Sequence, residues 1–504
     1  MNKQFSINAV FKVLSLCAGL AFGVLYLPFI FRSLGDELFG VYALVAVFIA
    51  YGGIMSRCLV TSINRYLTIG IGKSEREANV IFSSSLLVSA TIALVQLAMF
   101  TAIIVFLPAI FQLPEDLQHD ARLLFGGTGF AFVLLTFGSV FSASAVARNR
   151  LDLNDGAEVV RFLLRMVLIW LAFSCLGASL VSIAAVEVFV AMLLFIYRVQ
   201  CSRHLLPFLS VSWKAVDFKL MRAMLSSSLW VLVNNLGALL YVSSNIWLLN
   251  RFLDVQDAGY YSVVLQMDSM MRQLANTFVY LVAPMVAISY STGDLQKVVK
   301  LTNSSMKLMV FSLALVCSLC ALNAEVIMSL WLGEEFTFLW MLLVVVVAPL
   351  VVNGSVLMLF QVQIVYDKLK IPALVTLLLG VVNVVSVYCG LNYFELGVVG
   401  VATITAVLVL LKNFVFTPLY TARITGEQQY HYFLMLTKGV LVFLCVVSLG
   451  IIFRMLVAMT DLINCFSSLL ISVVAFYLIV KFFFTVEERT NLLSLIPSKI
   501  RRFL

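Results

Sequence analysis

Long runs of apolar residues alternate with short polar segments along almost the whole chain. Each run approaches or exceeds the roughly 20 residues that an α-helix needs to cross the hydrocarbon core of a bilayer. The runs are continuous and do not alternate with a period of two, which excludes the strands of a bacterial β-barrel. The pattern therefore predicts an all-α polytopic membrane protein with fourteen transmembrane helices, at residues 10–31, 40–63, 80–107, 121–147, 159–176, 179–197, 226–249, 260–283, 302–322, 337–365, 371–392, 396–420, 435–457 and 462–484.

The chain repeats part of its sequence at an offset of 219 residues. Arg, Leu, Gly and Tyr of the segment Arg32–Tyr42 recur in the same register in Arg251–Tyr261, and Leu113–Asp116 matches Leu332–Glu335. The offset carries the first span onto the seventh, so each copy contains six spans and both copies run the same way. Such parallel repeats are typical of transporters. The repeat predicts two six-helix lobes related by a pseudo-two-fold axis along the membrane normal, followed by two C-terminal helices.

These considerations predict three domains. Residues 1–200 form an N-terminal lobe with spans one to six, and residues 201–425 form a C-terminal lobe with spans seven to twelve. Residues 426–504 hold the last helix pair and a cytosolic tail. The linker at about 198–225 mixes basic and apolar residues, which favours an amphipathic segment on the cytosolic lipid surface over a plain tether.

Composition excludes several classes of protein. Hydrophobic residues make up 62% of the chain, charged residues 12%, and the mean hydropathy is +1.07. Ordinary globular proteins carry about 25% charged residues, so a soluble enzyme or a disordered protein is excluded. No nucleotide-binding motif is present, the three His are far apart, and most of the nine Cys lie in apolar runs. We therefore expect no enzyme activity, no cofactor, no metal and no nucleic-acid partner.

The net charge of +8 is less informative than the placement of Lys and Arg. These residues concentrate in alternate connecting segments, and the positive-inside rule assigns such segments to the cytosol. The protein is therefore predicted to be multi-pass with both termini cytosolic. We assign three basic residues to the interior of the spans: Arg57, Arg272 and Lys412.

Polar residues within the spans fall at helical spacing. Arg57, Asn64 and Arg65 lie on one face of the second span, and Asp268, Arg272 and Asn276 are spaced by four in the eighth. A charge in the bilayer interior is costly, so residues of this kind usually face a polar cavity. The remaining embedded polar candidates are Asn234 and Tyr241 on span seven, Glu187 on span six and Lys412 on span twelve.

The functional interpretation of these residues is a basic cavity between the lobes that accepts an anionic headgroup. Arg suits phosphate because its planar fork donates two parallel hydrogen bonds. Alternatives stay open for the other charges. Asp268 and Arg272 are equally well explained as a self-neutralising pair, and Lys412 as a side chain that reaches the interface. Glu187 is either a cation or proton site or the partner of an Arg.

Three segments resemble bacterial polysaccharide biosynthesis proteins: Arg32–Tyr42, Thr61–Tyr66 and Leu330–Phe336. These relatives are the O-antigen and capsule flippases of the multidrug/oligosaccharidyl-lipid/polysaccharide exporter (MOP) superfamily. The resemblance spans about residues 1–420 and implies a two-lobed exporter in the bacterial inner membrane. It also implies undecaprenyl-pyrophosphate-linked oligosaccharide as substrate, with basic residues in a central cavity.

The leading hypothesis is therefore a lipid-linked oligosaccharide flippase that works by alternating access, with Arg57 and Arg272 holding the headgroup. Its expected partners are membrane lipids, a glycan polymerase and chain-length proteins. The alternative is a cation-coupled multidrug exporter of the same superfamily, which requires an essential embedded acid such as Asp268 or Glu187. A membrane glycan polymerase is disfavoured because the outer segments are all short.

Overall fold

The computed structural model describes residues 3–212, 216–226, 229–428, 430–456 and 461–483, and all regular secondary structure in them is helical. The first half contains α1 Lys3–Ala21, α2 Leu27–Lys73, α3 Glu75–Val105, α4 Leu107–Ile110, α5 Gln118–Ala147, α6 Leu151–Leu176, α7 Leu180–Leu205, α8 Phe218–Ser226, α9 Leu229–Phe252 and α10 Val255–Ser291. The second half contains α11 Leu295–Leu322, α12 Ala324–Trp331, α13 Trp340–Val347, α14 Leu350–Asn353, α15 Leu357–Val365, α16 Lys370–Tyr393, α17 Val398–Leu411, α18 Thr417–Thr425, α19 His431–Leu456 and α20 Asp461–Phe483.

Each predicted span overlies helix in its described residues, which confirms the all-α membrane fold and is compatible with fourteen spans. Among the described residues, eleven helices are long and apolar enough to cross a membrane. The first of them, Val10–Ile54, covers two predicted spans, because the connection at Gly35 is a single non-helical residue with φ of 74°. The helices α10 and α20 overlie the eighth and fourteenth spans. Gly177, with φ of 84°, separates α6 from α7. The fifth and sixth predicted spans, which have the shortest connection, are therefore two separate helices.

The 219-residue offset found in the sequence also relates the starting positions of several helical elements. The helices α6 and α16 begin at Leu151 and Lys370, exactly that distance apart. Two 3₁₀ turns, Glu115–Leu117 and Glu334–Leu339, also begin one offset apart. Since both the turns and the helix starts recur in one register, the two copies share a local fold.

The two copies of the repeated motif touch each other directly. Glu37 and Gln256 stand one offset apart in sequence, and Gln256 Nε2 donates to Glu37 Oε1 at 3.2 Å. A Cβ at position 40 would lie 2.0 Å from the Val255 carbonyl oxygen, and one at position 259 would lie 3.2 Å from the Gly40 Cα. This approach of two backbones requires glycine, which explains why Gly recurs at these two positions of the motif.

The chain forms two compact units. The first comprises Met1–Val263 and Ala373–Val398, and the second comprises Val264–Pro372 and Val399–Leu504. These limits differ from the predicted limits of 1–200, 201–425 and 426–504, because residues 201–263 and 373–398 belong to the first unit. The division into six-helix lobes therefore stays a prediction.

Buried polar contacts explain why α9 and α16 join the first unit. Asn383 Nδ2 donates to Asn245 Oδ1 at 3.0 Å, and Asn245 Nδ2 donates to the Tyr261 hydroxyl at 3.0 Å. Tyr51 of α2 and Ser244 of α9 share a hydroxyl hydrogen bond of 2.6 Å. Because buried polar groups need partners, these bonds tie the two helices to α2 and to the start of α10.

The linker helix α8 packs on protein. Its Met224 is 1% exposed and belongs to a core cluster with Leu67 and Phe82, while Ser62 Oγ donates to the Met224 carbonyl at 2.8 Å. The apolar side of this helix is therefore held against α2 and α3. The position of the linker at the lipid surface stays a prediction.

Candidate functional site

Two π-helical turns interrupt the helices, one in each unit. They span Phe22–Tyr26 and Lys412–Phe416, and each ends two residues before a proline, Pro28 or Pro418. Proline has no backbone N–H and its ring clashes with the carbonyl four residues earlier, so the preceding turn cannot close normally. Such widened turns are frequent at functional sites, and both lie beside an embedded cation.

The second unit buries a lysine at its π turn. Lys412 is 5% exposed, and its Nζ lies 4.8 Å from the ring centroid of Phe360 on α15. Among the residues that the structure describes, no carboxylate forms an ion pair with it. Asn413, the next residue, donates through Nδ2 to Asn353 Oδ1 at 2.9 Å and fixes the turn. Lys412 therefore does not reach the interface but lies inside the helix cluster.

Asp268 and Arg272 of α10 form an ion pair in the same unit as Lys412. Arg272 Nε lies 2.6 Å from Asp268 Oδ2, and the two side chains are 33% and 12% exposed. The charge of Arg272 acts on Lys412. The three side chains comprise two basic groups and one acidic group, so with all three ionised the cluster has an excess positive charge. We call Lys412, Arg272 and Asp268 the basic cluster.

The first unit buries an arginine that has a carboxylate partner, a hydroxyl partner and two aromatic neighbours. Arg165 of α6 forms an ion pair with Glu187 of α7, and its Nη2 donates to the Tyr42 hydroxyl at 3.1 Å. Its guanidinium carbon lies 4.8 Å from the ring centroid of Phe22 and 5.2 Å from that of Tyr26, both in the first π turn. The side chains of Arg165 and Glu187 are 13% and 15% exposed. This site is electrically neutral, and we call it the paired site.

Arg165 is not among the site residues predicted from the sequence. It lies within the predicted span 159–176, but only Arg57, Arg272 and Lys412 were assigned to the span interiors. A signal was present, because Glu158, Arg161 and Arg165 are spaced by three and four residues along one face of α6. The prolines inside the first and twelfth spans were a second signal, since each marks the widened turn beside a buried cation.

The other predicted site residues of the first unit have different surroundings. Arg57 and Arg65 lie in α2, but their side chains are outside the described residues. Asn64 of the same helix is partly buried, and its carbonyl accepts a hydrogen bond from Thr68 Oγ1 at 2.7 Å. The structure therefore places these three positions on one helix without adding to the evidence for their role.

Asn234 and Tyr241 on α9 bond to the same residue of α16. Thr376 Oγ1 donates to Asn234 Oδ1 at 2.9 Å, and the Tyr241 hydroxyl donates to the Thr376 carbonyl at 2.9 Å. These bonds hold two helices together. In the second unit, Asn276 is exposed and lies one turn beyond Arg272 on α10. The role of all three in substrate binding stays a prediction.

The fold is similar to that of solved membrane transporters. Lipid II flippase MurJ in an inward closed conformation superimposes with a TM-score of 0.70 at 13% identity, covering 94% of this chain and 98% of MurJ. An inward-facing multidrug resistance MATE family transporter of the MOP superfamily superimposes with a TM-score of 0.61 at 15% identity, covering 84% and 98%. The protein therefore has the fold of these solved transporters.

The particular family follows from sequence similarity. The uncharacterized membrane protein EpsK of Bacillus subtilis (strain 168) is 30% identical over 441 residues, which cover 87% of this chain and 86% of EpsK. The chain belongs to the family of this membrane protein. No protein-family model matches the chain.

Proposed function

We propose that the protein is a flippase that moves undecaprenyl-pyrophosphate-linked oligosaccharide across the bacterial inner membrane by alternating access. In this proposal both termini are cytosolic. The repeat units then serve an O-antigen, capsule or related surface polysaccharide, and a glycan polymerase and chain-length proteins act downstream. The observation that carries the proposal is the excess positive charge of the basic cluster, on a fold that is also that of a lipid II flippase.

The electrostatic argument concerns Lys412. Removing a charge from water costs several kcal/mol unless an opposite charge compensates it, and about 2.5–3.5 kcal/mol on membrane-insertion scales. The contact with the Phe360 ring offsets about 2 kcal/mol of this cost. The single carboxylate of the cluster, Asp268, is already bonded to Arg272. An anionic headgroup that enters beside Lys412 would supply the missing negative charge, and a pyrophosphate is such a group.

The multidrug-exporter alternative has weaker support. It needs an embedded acid that is available to a coupling cation, and both candidates, Asp268 and Glu187, are paired with arginines in this structure. Each carboxylate would first have to release its partner. The flippase proposal requires no such exchange, so we prefer it.

The test is lipid transport by purified protein in proteoliposomes. The probe is a fluorescent undecaprenyl-pyrophosphate oligosaccharide, whose transfer between leaflets is followed by quenching from outside. We expect Lys412→Met to slow transfer at least about tenfold, the effect of losing about 1.4 kcal/mol of interaction with the charged headgroup. Lys368→Met is the matched control, because Lys368 is exposed, and we expect it to transfer lipid at the wild-type rate.

Two results would overturn the proposal. Wild-type protein that fails to accelerate transfer of the probe is not a flippase for this class of lipid. Lys412→Met protein that transfers the probe at the wild-type rate removes the basic cluster from the mechanism. Drug efflux by intact cells, lost when Glu187→Gln is introduced, would instead support the exporter.

A further inference from the structure

A cavity of about 500 Å³ lies in the first unit, beside the contact between Glu37 and Gln256 of the repeated motif. One wall is the connection between α3 and α5, and the opposite wall is the start of α10 together with Glu37 of α2. Its volume lies within the range of sites that bind small molecules. Among the residues whose side chains the structure describes, no predicted site residue lines this cavity.

The walls of the cavity are fixed by buried contacts. Asn250 of α9 is fully buried, and its side chain bonds both to the Gln112 carbonyl at 3.0 Å and to the Gln112 N–H at 3.3 Å. Trp247 Nε1 donates to the Ile110 carbonyl at 3.1 Å. On the opposite side, Gln256 is bonded to Glu37 at 3.2 Å. A cavity with walls held in this way is largely formed before any ligand arrives.

The lining combines amides, carboxylates and apolar rings. Gln112, Gln118 and Gln256 each offer both a donor and an acceptor, and Glu37 and Asp254 offer acceptors. Asp254 is partly engaged, because its carboxylate caps α10 by accepting from the Asp257 N–H at 2.8 Å. Prolines and leucines supply the apolar part of the lining.

The lack of basic side chains in the described lining of the cavity argues against an anionic ligand. No Lys, Arg or His is among the described residues that line the cavity, and its carboxylates would repel a phosphate or another anion. A sugar hydroxyl both donates and accepts, so it matches glutamine amides and carboxylates. The C–H face of a pyranose ring matches the apolar side chains. A hydrophobic or anionic molecule would satisfy only part of this surface.

We propose that this cavity binds uncharged sugar residues, and that it receives the glycan part of the substrate apart from its pyrophosphate. The inference rests on the proposed function for the identity of the glycan. The positive-inside rule puts the α3–α5 connection outside the cytosol. The cavity is then a site for the sugar on the side where the lipid arrives after crossing.

The test is saturation-transfer NMR on the full-length protein in nanodiscs. The probes are methyl glycosides of glucose, galactose, N-acetylglucosamine and N-acetylgalactosamine, with choline and inorganic pyrophosphate as the cationic and anionic alternatives. We expect at least one glycoside to bind in the millimolar range without competition from pyrophosphate. The double variant Gln112→Ala/Gln256→Ala should weaken binding at least about fivefold. Gln428→Ala, at an exposed glutamine outside the cavity, should leave it unchanged.

The possible failures are distinguishable. If no glycoside binds, or if the double variant binds as well as wild type, the sugar site is refuted even when lipid transfer succeeds. Binding of choline in place of the glycosides would overturn the inference in favour of an organic cation. Glycoside binding by protein that does not transfer the lipid probe would leave the cavity assignment intact and refute the proposed function alone. A misfolded variant is recognised by a shifted gel-filtration elution, and Glu37→Gln then replaces it with the same expected weakening.

Discussion

Arg165 in the first unit and Lys412 in the second are both buried beside a proline-induced π turn, but their charges are balanced differently. Arg165 has Glu187, Tyr42 and two aromatic rings around it. Lys412 has one aromatic ring and, among the described residues, no carboxylate partner. A buried cation with a partner is explained by the fold alone. A buried basic group without one is not explained by an ion pair, and this difference separates the paired site from the basic cluster.

The internal repeat indicates that the fold does not require the paired site. At the 219-residue offset, the counterparts of Arg165 and Glu187 are Val384 and Ala406. The second copy of these helices thus has apolar residues where the first has an ion pair. Replacing a buried ion pair by apolar residues is often neutral or stabilising, whereas removing one partner is strongly destabilising. The residues of the second copy therefore indicate which substitutions at Arg165 and Glu187 the fold should tolerate.

The largest effect is expected for Glu187→Ala. This change leaves the Arg165 guanidinium buried without a carboxylate, which costs about 3–5 kcal/mol. We expect a large fall in the thermal unfolding temperature of detergent-solubilised protein, measured by the fluorescence of the tryptophans.

The double variant Arg165→Val/Glu187→Ala is the matched control, because it reproduces the residues of the second repeat. It should recover most of the lost stability. If the single variant is no less stable than the double variant, the ion pair does not neutralise Arg165, and the contrast with Lys412 disappears.

An effect of opposite sign is expected for Lys412→Leu, which introduces the residue found at the equivalent position, Leu193. Removing a buried cation that lacks a carboxylate partner should leave stability unchanged or raise it by about 1–3 kcal/mol. The same unfolding measurement without added lipid tests this. A clear loss of stability would mean that Lys412 has a structural role like that of Arg165.

Asp257, before the eighth predicted span, is a negatively charged example of a group that is destabilised by burial. Burial, with a smaller effect of the Asp254 charge, raises the pKa of this carboxyl to about 6. A raised pKa means that the folded state favours the protonated acid, so stability falls as the pH rises from about 4 to 6. Because the side chain is partly exposed, we expect a change of at most about 1 kcal/mol.

The check compares the unfolding temperatures of wild type and Asp257→Asn at pH 5 and pH 7. The Asn variant should be the more stable protein at pH 7, and the difference should shrink at pH 5. If the two proteins differ in unfolding temperature by the same amount at both pH values, the charge of Asp257 does not destabilise the folded state.

The smallest effect is expected for the exposed pair Lys73 and Glu77. Their charged atoms lie 3.4 Å apart, with side chains 62% and 47% exposed. An exposed i,i+4 pair contributes about 0.3–0.5 kcal/mol, so Lys73→Ala should barely change the unfolding temperature. A loss as large as that of Glu187→Ala would mean that burial does not govern the strength of ion pairs in this protein.

The sequence was sufficient to predict the helices and the repeat. Bilayer thickness imposes a length on every apolar run, and that length is a local property of the chain. The motif shared by Arg32–Tyr42 and Arg251–Tyr261 was likewise visible as a register match, and the contact between Glu37 and Gln256 agrees with it. The ion pair between Asp268 and Arg272 could also be predicted, because residues spaced by four are neighbours on a helix.

Only the tertiary structure decided which buried charges are balanced. Glu187 meets Arg165 across two helices, and Lys412 lies near Arg272 although 140 positions separate them in sequence. The pairing of a charge depends on which helix faces it, and hydropathy periodicity carries no information about that choice. Local spacing therefore predicted the membrane-spanning helices of this chain, while contacts between distant helices determined which of its described buried basic groups has a carboxylate partner.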